Sequence, residues 1–177
     1  MIAPTTFASG VKRCENWEIS FDLYLDNQPE EWTSIFQVTA TGAGDMNNQL
    51  GSRLPGLFTR KHPMSSAILR LWFYTHLGND RNHFFIFNVN KFTWYNIKIS
   101  EFDGLYSVSI DNQVVYSKLN YSPREWESVD FQMARPTGHN YEPTAGRYRN
   151  FEFDLCARPG GNLLSFKRLI RNPLLKK

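Results

Sequence analysis

Four side chains suited to ligand binding occupy alternate positions between residues 68 and 76. Alternate residues of a β-strand point to the same face of the sheet, so this spacing predicts one shared face. A tryptophan beside a tyrosine offers flat apolar surface, and arginine and histidine add directional hydrogen-bond donors. The candidate ligand-binding residues are Arg70, Trp72, Tyr74 and His76. We expect a binding face here unless another strand, a loop or the C-terminal segment covers it.

The other residue types that commonly do chemistry have no catalytic or metal-binding spacing. The four histidines do not follow a zinc pattern, and the sequence has no Cys/His cluster. It also contains no glycine-rich phosphate loop and no serine nucleophile elbow. The sequence therefore gives no signal for a zinc site or for nucleotide phosphate binding.

The composition predicts one β-rich domain. The chain has 177 residues, of which 41% are hydrophobic and 15% are aromatic, as expected if two sheets bury aromatic side chains against each other. It has no apolar run of the roughly 18 to 20 residues that a membrane-spanning helix needs. We expect a β-sandwich over residues 1–160 and a basic C-terminal extension over residues 161–177.

The positive charge lies almost entirely at the C-terminal end. The formal net charge is +3, and the six lysines and arginines that follow Cys156 leave the remainder of the chain at −3. Nucleic-acid binding needs a basic face on the folded domain, and this domain is mildly acidic. We therefore expect no nucleic-acid partner.

Hydrophobic alternation predicts about ten to twelve strands. The clearest region is 93–118, where two short turns separate three alternating runs and so predict a three-stranded meander. Residues 1–10 are expected to be a loose lead-in, and the run 83–89 is apolar on both faces, as in a central strand that is covered on both sides. The other predicted strands are 11–25, 32–40, 57–59, 68–76, 128–134 and 147–156.

The meander and the last strand resemble laminin G-like domains, which belong to the concanavalin A-like group. The meander has the order Trp94, alternating strand, glycine turn, alternating strand, Asp111-Asn112 turn and valine-rich strand. The segment Gly146-Arg-Tyr-Arg-Asn-Phe is similar to the closing strand of that family. The resemblance implies an all-β, two-sheet antiparallel jelly-roll sandwich. It also implies a recognition role, as in a lectin or a cell-adhesion domain.

The resemblance also implies a disulfide and a location. First and last strands are neighbours in such jelly rolls, and the only two cysteines, Cys14 and Cys156, fall on those predicted strands. A disulfide between them is favoured over two buried thiols, and it indicates a secreted or extracellular protein. The triplet Asn120-Tyr-Ser is an N-glycosylation sequon and agrees with that location.

Calcium is the cofactor that the resemblance suggests. Domains of this group often hold calcium on rim loops through carboxylate, amide and main-chain oxygens. Two predicted loops supply such oxygens through Asp45, Asn47 and Asp80. Each loop has a single carboxylate, so ordinary polar turn chemistry is the alternative explanation.

Two enzyme families that share this sandwich have recognisable catalytic patterns, and the sequence matches neither pattern completely. Retaining glucanases carry three acidic residues on one strand, and the nearest sequence, Glu152-Phe-Asp154, stops one short. Polysaccharide lyases use a Gln-x-His strand together with arginine and tyrosine, and the run 70–76 has such residue types without that pattern.

These comparisons lead us to expect a non-catalytic extracellular module that binds a glycan or a partner protein. The first alternative is a carbohydrate-active enzyme, either a glycoside hydrolase or a polysaccharide lyase, on the same sandwich. The second is a structural assembly domain of a matrix or surface protein, and homo-oligomer formation is left open.

Overall fold

The fold is an antiparallel sandwich of two β-sheets. The computed structural model describes residues 5–27, 32–43, 50–133 and 146–157, which form eleven strands and no helix, so no described segment is a helical membrane span. One sheet has the order β1-β10-β3-β4-β5-β6 and the other β11-β2-β7-β8-β9. The strands are β1 (Thr5–Arg13), β2 (Trp17–Leu25), β3 (Thr33–Ala40), β4 (Gly56–His62), β5 (Ser65–Leu77), β6 (Asp80–Asn90), β7 (Trp94–Phe102), β8 (Leu105–Ile110), β9 (Gln113–Leu119), β10 (Trp126–Met133) and β11 (Gly146–Asp154). The predicted all-β class and two-sheet architecture are confirmed. The C-terminal extension lies outside the described residues, so the domain boundary at residue 160 stays a prediction.

Aromatic side chains from both sheets form the core. Along β2, the odd-numbered residues from Trp17 to Leu25 are buried, and the residues between them are partly exposed. Phe21 of β2 meets Phe36 of β3 edge-on at 5.6 Å, and Phe131 of β10 meets Phe151 of β11 at 5.4 Å. These ring pairs join one sheet to the other and fix how the two sheets pack.

The predicted meander is confirmed as β7, β8 and β9. Both turns have two residues in the left-handed region, with φ of +49° and +75° at Asp103 and Gly104. In the second turn Asp111 and Asn112 have φ of +51° and +63°. Two consecutive positive φ values define the tight hairpin turn whose twist matches that of the paired strands.

The N-terminal prediction was wrong in two respects. Strand β1 already begins at Thr5, inside the expected lead-in, and the expected strand 11–25 is divided between β1 and β2, which lie in different sheets. The pairing of β1 with β10 has three register irregularities, and Gly10 has φ of +66°. These bulges disrupt the alternation that would have marked β1 as a strand, and alternation cannot show where a chain crosses between sheets.

The prediction for the run 83–89 was also wrong. Strand β6 is an edge strand of the six-stranded sheet and is not covered by protein on both faces. Phe85 points inward and stacks on Tyr116 of the other sheet at 4.6 Å, whereas Phe84 points outward and is 46% exposed. The strand is apolar on both faces because its outer side contributes to an aromatic cluster on the surface.

The cysteines form the expected disulfide at one end of the sandwich. Cys14 lies between β1 and β2, and it is bonded to Cys156, which follows β11, with the two Cα atoms 4.7 Å apart. The amide of Cys14 also donates a hydrogen bond to the carbonyl of Leu155 at 2.7 Å. The crosslink therefore fastens the end of β11 to the point where the chain passes from one sheet to the other.

Replacing both cysteines by alanine should lower the free energy of unfolding. The two cysteines are 142 residues apart in the sequence. Removing a disulfide that closes so long a loop costs about 2–5 kcal/mol, because the unfolded chain gains entropy. Urea unfolding of the double variant and of the oxidised wild type measures the difference. An unchanged urea midpoint would contradict the expectation.

Candidate functional site

The outer face of the six-stranded sheet carries a row of large aromatic side chains. Cross-strand partners share a face, and the register places Phe58 beside Trp72 and, one row on, Tyr74 beside Phe84. Trp32, which directly precedes β3, reaches the same surface, with its ring 4.7 Å from that of Trp72. We call these five residues the outer-face cluster.

The outer-face cluster has a buried floor and a partly exposed upper surface. Trp72 stacks along Tyr74 at 6.3 Å with 13° between the ring planes, and Phe84 contacts both at 5.1 Å and 5.7 Å. Phe58 and Tyr74 are only 1% and 8% exposed. Trp32 and Trp72 are partly exposed, and Phe84 is largely open. The upper surface is therefore accessible apolar area of the kind that sugar rings bind.

Arg53 explains why the floor is buried. Its guanidinium carbon lies 4.7 Å from the ring centre of Phe58 and 4.3 Å from that of Tyr74, and its Nη1 donates to Asn82 Oδ1 at 3.2 Å. Gly56 leaves the necessary space, because a Cβ there would approach the Phe58 ring to 2.9 Å and Arg53 side-chain atoms to 3.4 Å. The Arg53 guanidinium thus lies over the aromatic floor.

The row that contains Tyr74 also contains a glutamine. Gln37 of β3 is paired with Gly56 of β4, which is paired with Tyr74 of β5. Cross-strand partners share a face, so Gln37 and Tyr74 lie on either side of a residue that has no side chain. The Gln37 amide is buried and donates to Ser34 Oγ at 3.4 Å. Gln37 and Tyr74 therefore lie in one row of this face, and Arg53 contacts Tyr74 in that row.

Two more arginines add positive charge at the other end of the cluster. Arg60 and Arg70 are direct cross-strand partners on the outer face, and the guanidinium carbon of Arg60 lies 5.4 Å from the ring centre of Trp32. Neither arginine forms an ion pair with any residue in the described ranges. Like charges directly opposite each other repel, so this pair favours an anionic ligand.

Three of the four residues predicted to bind a ligand lie together, and the fourth does not. Arg70, Trp72 and Tyr74 occupy the outer face, and Arg70 Nε and Trp72 Nε1 are buried without a hydrogen-bond partner among the described residues. His76 lies at the end of the sandwich, in a small cavity. The cavity is lined by Arg13, Leu54, His76, Gly78, Asn120, Ser122, Arg124 and Trp126.

The His76 imidazole stays neutral in this cavity. Burial lowers its pKa to about 4, and the charges of Arg13, Arg124 and Arg81 act in the same direction, against a raising hydrogen bond with the Ser52 backbone. Its Nε2 has no hydrogen-bond partner among the described residues. His76 is therefore a neutral, half-buried side chain at physiological pH.

A buried ion pair adjoins this cavity. Arg13 and Glu101 are 3% and 1% exposed, and Arg13 Nη2 donates to Glu101 Oε2 at 3.3 Å. Burial lowers the pKa of Arg13 to about 10 and raises the pKa of Glu101. Trp17 Nε1 also donates to Glu101 Oε2, and Asn120 Nδ2 donates to Glu101 Oε1 at 2.6 Å. The carboxylate is held by three donors from three parts of the chain.

The glycosylation prediction for Asn120 is not supported by its surroundings. The side chain is 6% exposed, and Nδ2, the atom to which a glycan would be attached, donates to Glu101. Its Oδ1 accepts from the amides of Gly78 at 2.8 Å and Ser122 at 3.2 Å. The structure makes Asn120 a buried link between two loops and the Glu101 carboxylate.

The calcium prediction remains a prediction. Asp45 and Asn47 lie outside the described residues. Asp80 Oδ2 lies 3.0 Å from His83 Nδ1, and its Oδ1 accepts from the amide of Asn82 at 3.2 Å. Within the described ranges, no three histidine, cysteine or acidic side chains come close enough to hold a metal ion. Asp80 has the contacts of a turn residue.

Sequence reasoning missed Arg53, Gln37, Trp32 and the outer-face role of Phe58 and Phe84. The apolar pattern on both faces of the run 83–89 was the available signal, because an exposed sheet face rarely carries aromatics on adjacent strands without a function. Arg53 has no such signal, since it lies between predicted strands and its position depends on the fold. Glu152 and Asp154, the nearest approach to a glucanase motif, lie on β11 in the other sheet.

Solved structures share the two-sheet arrangement. A marine PL7 alginate lyase from Zobellia galactanivorans is 13% identical, with a TM-score of 0.53 over 85% of this chain and 64% of that one. A heptameric SAP-like pentraxin from Limulus polyphemus is 11% identical, with a TM-score of 0.56 over 86% of this chain and 69% of that one. The chain is a concanavalin A-like jelly-roll sandwich. The predicted resemblance is thereby confirmed for the fold.

The comparisons correct the expectation of a non-catalytic module. An alginate lyase from Alteromonas sp. 272 is 10% identical, with a TM-score of 0.51 over 71% of this chain, which spans 54% of that enzyme's length. An alginate lyase from Pseudomonas aeruginosa is 15% identical, with a TM-score of 0.51 over 78% of this chain. Because several structural neighbours are alginate lyases, this sandwich is a fold that enzymes also use, and the expectation of a non-catalytic module is contradicted in favour of the alternative, a carbohydrate-active enzyme. The sequence matches no protein-family model and no curated protein.

Asn120 should matter for stability, whereas its sequon should not. Asn120→Ala would leave a Glu101 oxygen and the Gly78 amide unpaired, and the expected cost is about 1–3 kcal/mol of unfolding free energy. Ser122→Ala destroys the sequon but keeps the Asn120 side chain, so it is the matched control with an effect within about 0.5 kcal/mol. Urea unfolding measures both variants. Equal losses in the two would contradict the structural role of Asn120.

His76 should make the protein less stable in acid. Its folded pKa of about 4 lies below the ordinary value, so the unfolded chain binds the proton more readily, and stability falls as pH drops from about 6.5 to about 4. His76→Gln should reduce that fall by on the order of 2 kcal/mol. Urea unfolding at several pH values tests this, with His62→Gln as the control. A fall of the same size in wild type and His76→Gln would refute it.

Proposed function

We propose that this chain is a carbohydrate-active enzyme of the polysaccharide lyase type. Its substrate would be an acidic polysaccharide that lies across the outer face of the six-stranded sheet. The observation that carries the proposal is the Arg53 guanidinium over Tyr74, in the same row as Gln37 and beside partly exposed tryptophans. The alginate lyases among the structural neighbours support this reaction class over hydrolysis.

The outer-face cluster suits a chain of charged sugars. Trp32, Trp72 and Phe84 offer apolar surface against which the C–H groups of sugar rings can pack. Arg60 and Arg70 place two cations beside that surface without a carboxylate partner in the described ranges. Guanidinium groups bind carboxylates through paired hydrogen bonds, so uronic acids are the favoured sugar class.

The chemistry that we propose is β-elimination. A base removes the proton from C5 of a uronate, the bond from C4 to the glycosidic oxygen breaks, a C4–C5 double bond forms, and the leaving oxygen takes up a proton. Arg53 would neutralise the uronate carboxylate and Gln37 would support it by hydrogen bonding, which makes the C5 proton easier to remove. Tyr74, as a phenolate stabilised by the adjacent Arg53 guanidinium, would take the C5 proton, and the phenol so formed would pass that proton to the leaving oxygen.

A location outside the cell is part of the proposal. Polysaccharides of this kind lie outside cells, and the Cys14–Cys156 disulfide supports folding in an oxidising compartment.

The test is an elimination assay on alginate and polygalacturonate, with neutral β-glucan as a third substrate. We expect the ultraviolet absorbance of the unsaturated uronate to increase with acidic substrates only. Tyr74→Phe should lower kcat by about 10²–10⁴-fold, the usual contribution of a general acid or base. The Arg60→Gln, Arg70→Gln double variant should mainly raise KM, by about tenfold.

Lys118→Gln is the matched control, because it removes an exposed cation from β9 in the other sheet. Its kinetic constants should equal those of wild type. Absence of elimination products from folded wild-type protein on both acidic polymers would overturn the proposal, and reducing sugars from β-glucan would indicate a hydrolase instead.

A further inference from the structure

The opposite side of the sandwich carries a second cluster of arginines and aromatic rings. In the five-stranded sheet, Arg147 of β11, Tyr24 of β2 and Trp94 of β7 form one cross-strand row, and the next row is Arg149, Asp22 and Asn96. The intervening residues of β2, Leu23 and Leu25, are buried in the core, so these two rows face outward. We call Tyr24, Trp94, Arg147 and Arg149 the arginine patch.

Both guanidinium groups of the arginine patch lie on aromatic rings. The guanidinium carbon of Arg147 is 4.4 Å from the ring centre of Tyr24, and that of Arg149 is 4.2 Å from the ring centre of Trp94. The two rings are themselves in contact at 5.3 Å. Stacking restricts both side chains before any ligand arrives, which lowers the entropic cost of binding.

Asp22 fixes the orientation of Arg149. Its Oδ2 accepts from Arg149 Nε at 3.0 Å and from Asn150 Nδ2 at 2.8 Å, and its Oδ1 accepts from Asn96 Nδ2 at 2.9 Å. Burial by itself raises the pKa of Asp22, but these hydrogen bonds and the Arg149 charge outweigh it, so the pKa lies below the ordinary value. The carboxylate is engaged through Nε, and the terminal nitrogens of Arg149 are not bonded to it.

The charge of Arg147 is not neutralised within the described residues. It is exposed, and its guanidinium lies over the Tyr24 ring. Besides Asp22, which is paired with Arg149, this face carries Glu18, Glu152 and Asp154 further along the strands, and Glu18 is engaged with Lys98 at 2.6 Å. The face is therefore basic at the arginine patch and acidic beyond it.

We propose that the arginine patch is a second, non-catalytic binding surface for an acidic polysaccharide. Arg147 and Arg149 are two residues apart on one strand, a separation of roughly 7 Å, so they can meet carboxylates on neighbouring parts of one polymer. Duplex nucleic acid carries about one charge per 1.7 Å of its axis, and the adjoining acids would repel it. A polymer with one carboxylate per sugar has a lower charge density than duplex nucleic acid, so Glu18, Glu152 and Asp154 repel it less.

This inference names a second site for the substrate class of the proposed function, and it can be tested separately. Affinity electrophoresis through gels that contain alginate, heparin or dextran measures retention, and elimination from a short uronate oligosaccharide measures catalysis. The Arg147→Gln, Arg149→Gln variant should bind alginate about tenfold more weakly, in line with the loss of charge-assisted hydrogen bonds. Its elimination rate on the oligosaccharide should equal that of wild type.

Arg147→Gln alone keeps the Arg149 and Asp22 pair, so it tests binding without disturbing that ion pair. Lys118→Gln, an equal change in charge at the edge strand β9, is the control and should leave retention unchanged. Circular dichroism and the urea midpoint establish that each variant is folded.

The outcomes separate the two proposals. Retention that depends on the arginines in a protein that cleaves nothing would overturn the proposed function and support the second site. Elimination with unchanged retention of both arginine variants would overturn the second site. Stronger retention by heparin than by alginate would overturn the carboxylate class, and retention by dextran would overturn recognition of charge.

Discussion

The buried pair of Arg13 and Glu101 determines how one end of the sandwich is assembled. Arg13 ends β1 in one sheet and Glu101 lies on β7 in the other, so their contact joins the two sheets through charge as well as packing. Such a pair adds little net stability compared with apolar residues of similar volume. Removing one partner, however, leaves an unpaired charge in the core and typically costs about 3–5 kcal/mol. Trp17 and Asn120 bind the same carboxylate. The passage of the chain from β1 to β2, the loops at that end of the sandwich and the His76 cavity therefore all depend on this ion pair.

Much of the fold could be predicted because one face of most strands is buried. Strict alternation identified β2, β5 and the meander, and the turn residues at 103–104 and 111–112 located both hairpins. The disulfide followed from the family resemblance, since the strands that flank the cysteines are neighbours in it. Prediction failed at β1, where bulges interrupt the alternation, and at β6, where outward aromatics imitate a doubly covered strand. In both places a local irregularity or a surface cluster overrode the simple rule.

The candidate site was only half predictable for a different reason. Arg70, Trp72 and Tyr74 share a strand, so their spacing alone placed them on one face. Arg53 and Gln37 join them through the pairing of β3, β4 and β5 and through the missing side chain of Gly56, and none of this is visible in local sequence. His76 follows the same spacing as its neighbours, yet the end of the strand turns it into a cavity. Periodicity describes a strand's faces, not what closes over its ends.

The position of Cys14 after β1 has a consequence for local motion. The disulfide closes residues 14–156 into a covalent ring, and β1 lies outside that ring. Strand β1 pairs with one neighbour, β10, and the register of that pairing is irregular. Phe7, stacked on Phe151 at 5.2 Å, and the buried Arg13 are its principal anchors. Opening of β1 can therefore occur as a subglobal event with the ring intact. Such an opening would uncover the edge of β10, where the backbone of another strand could be added.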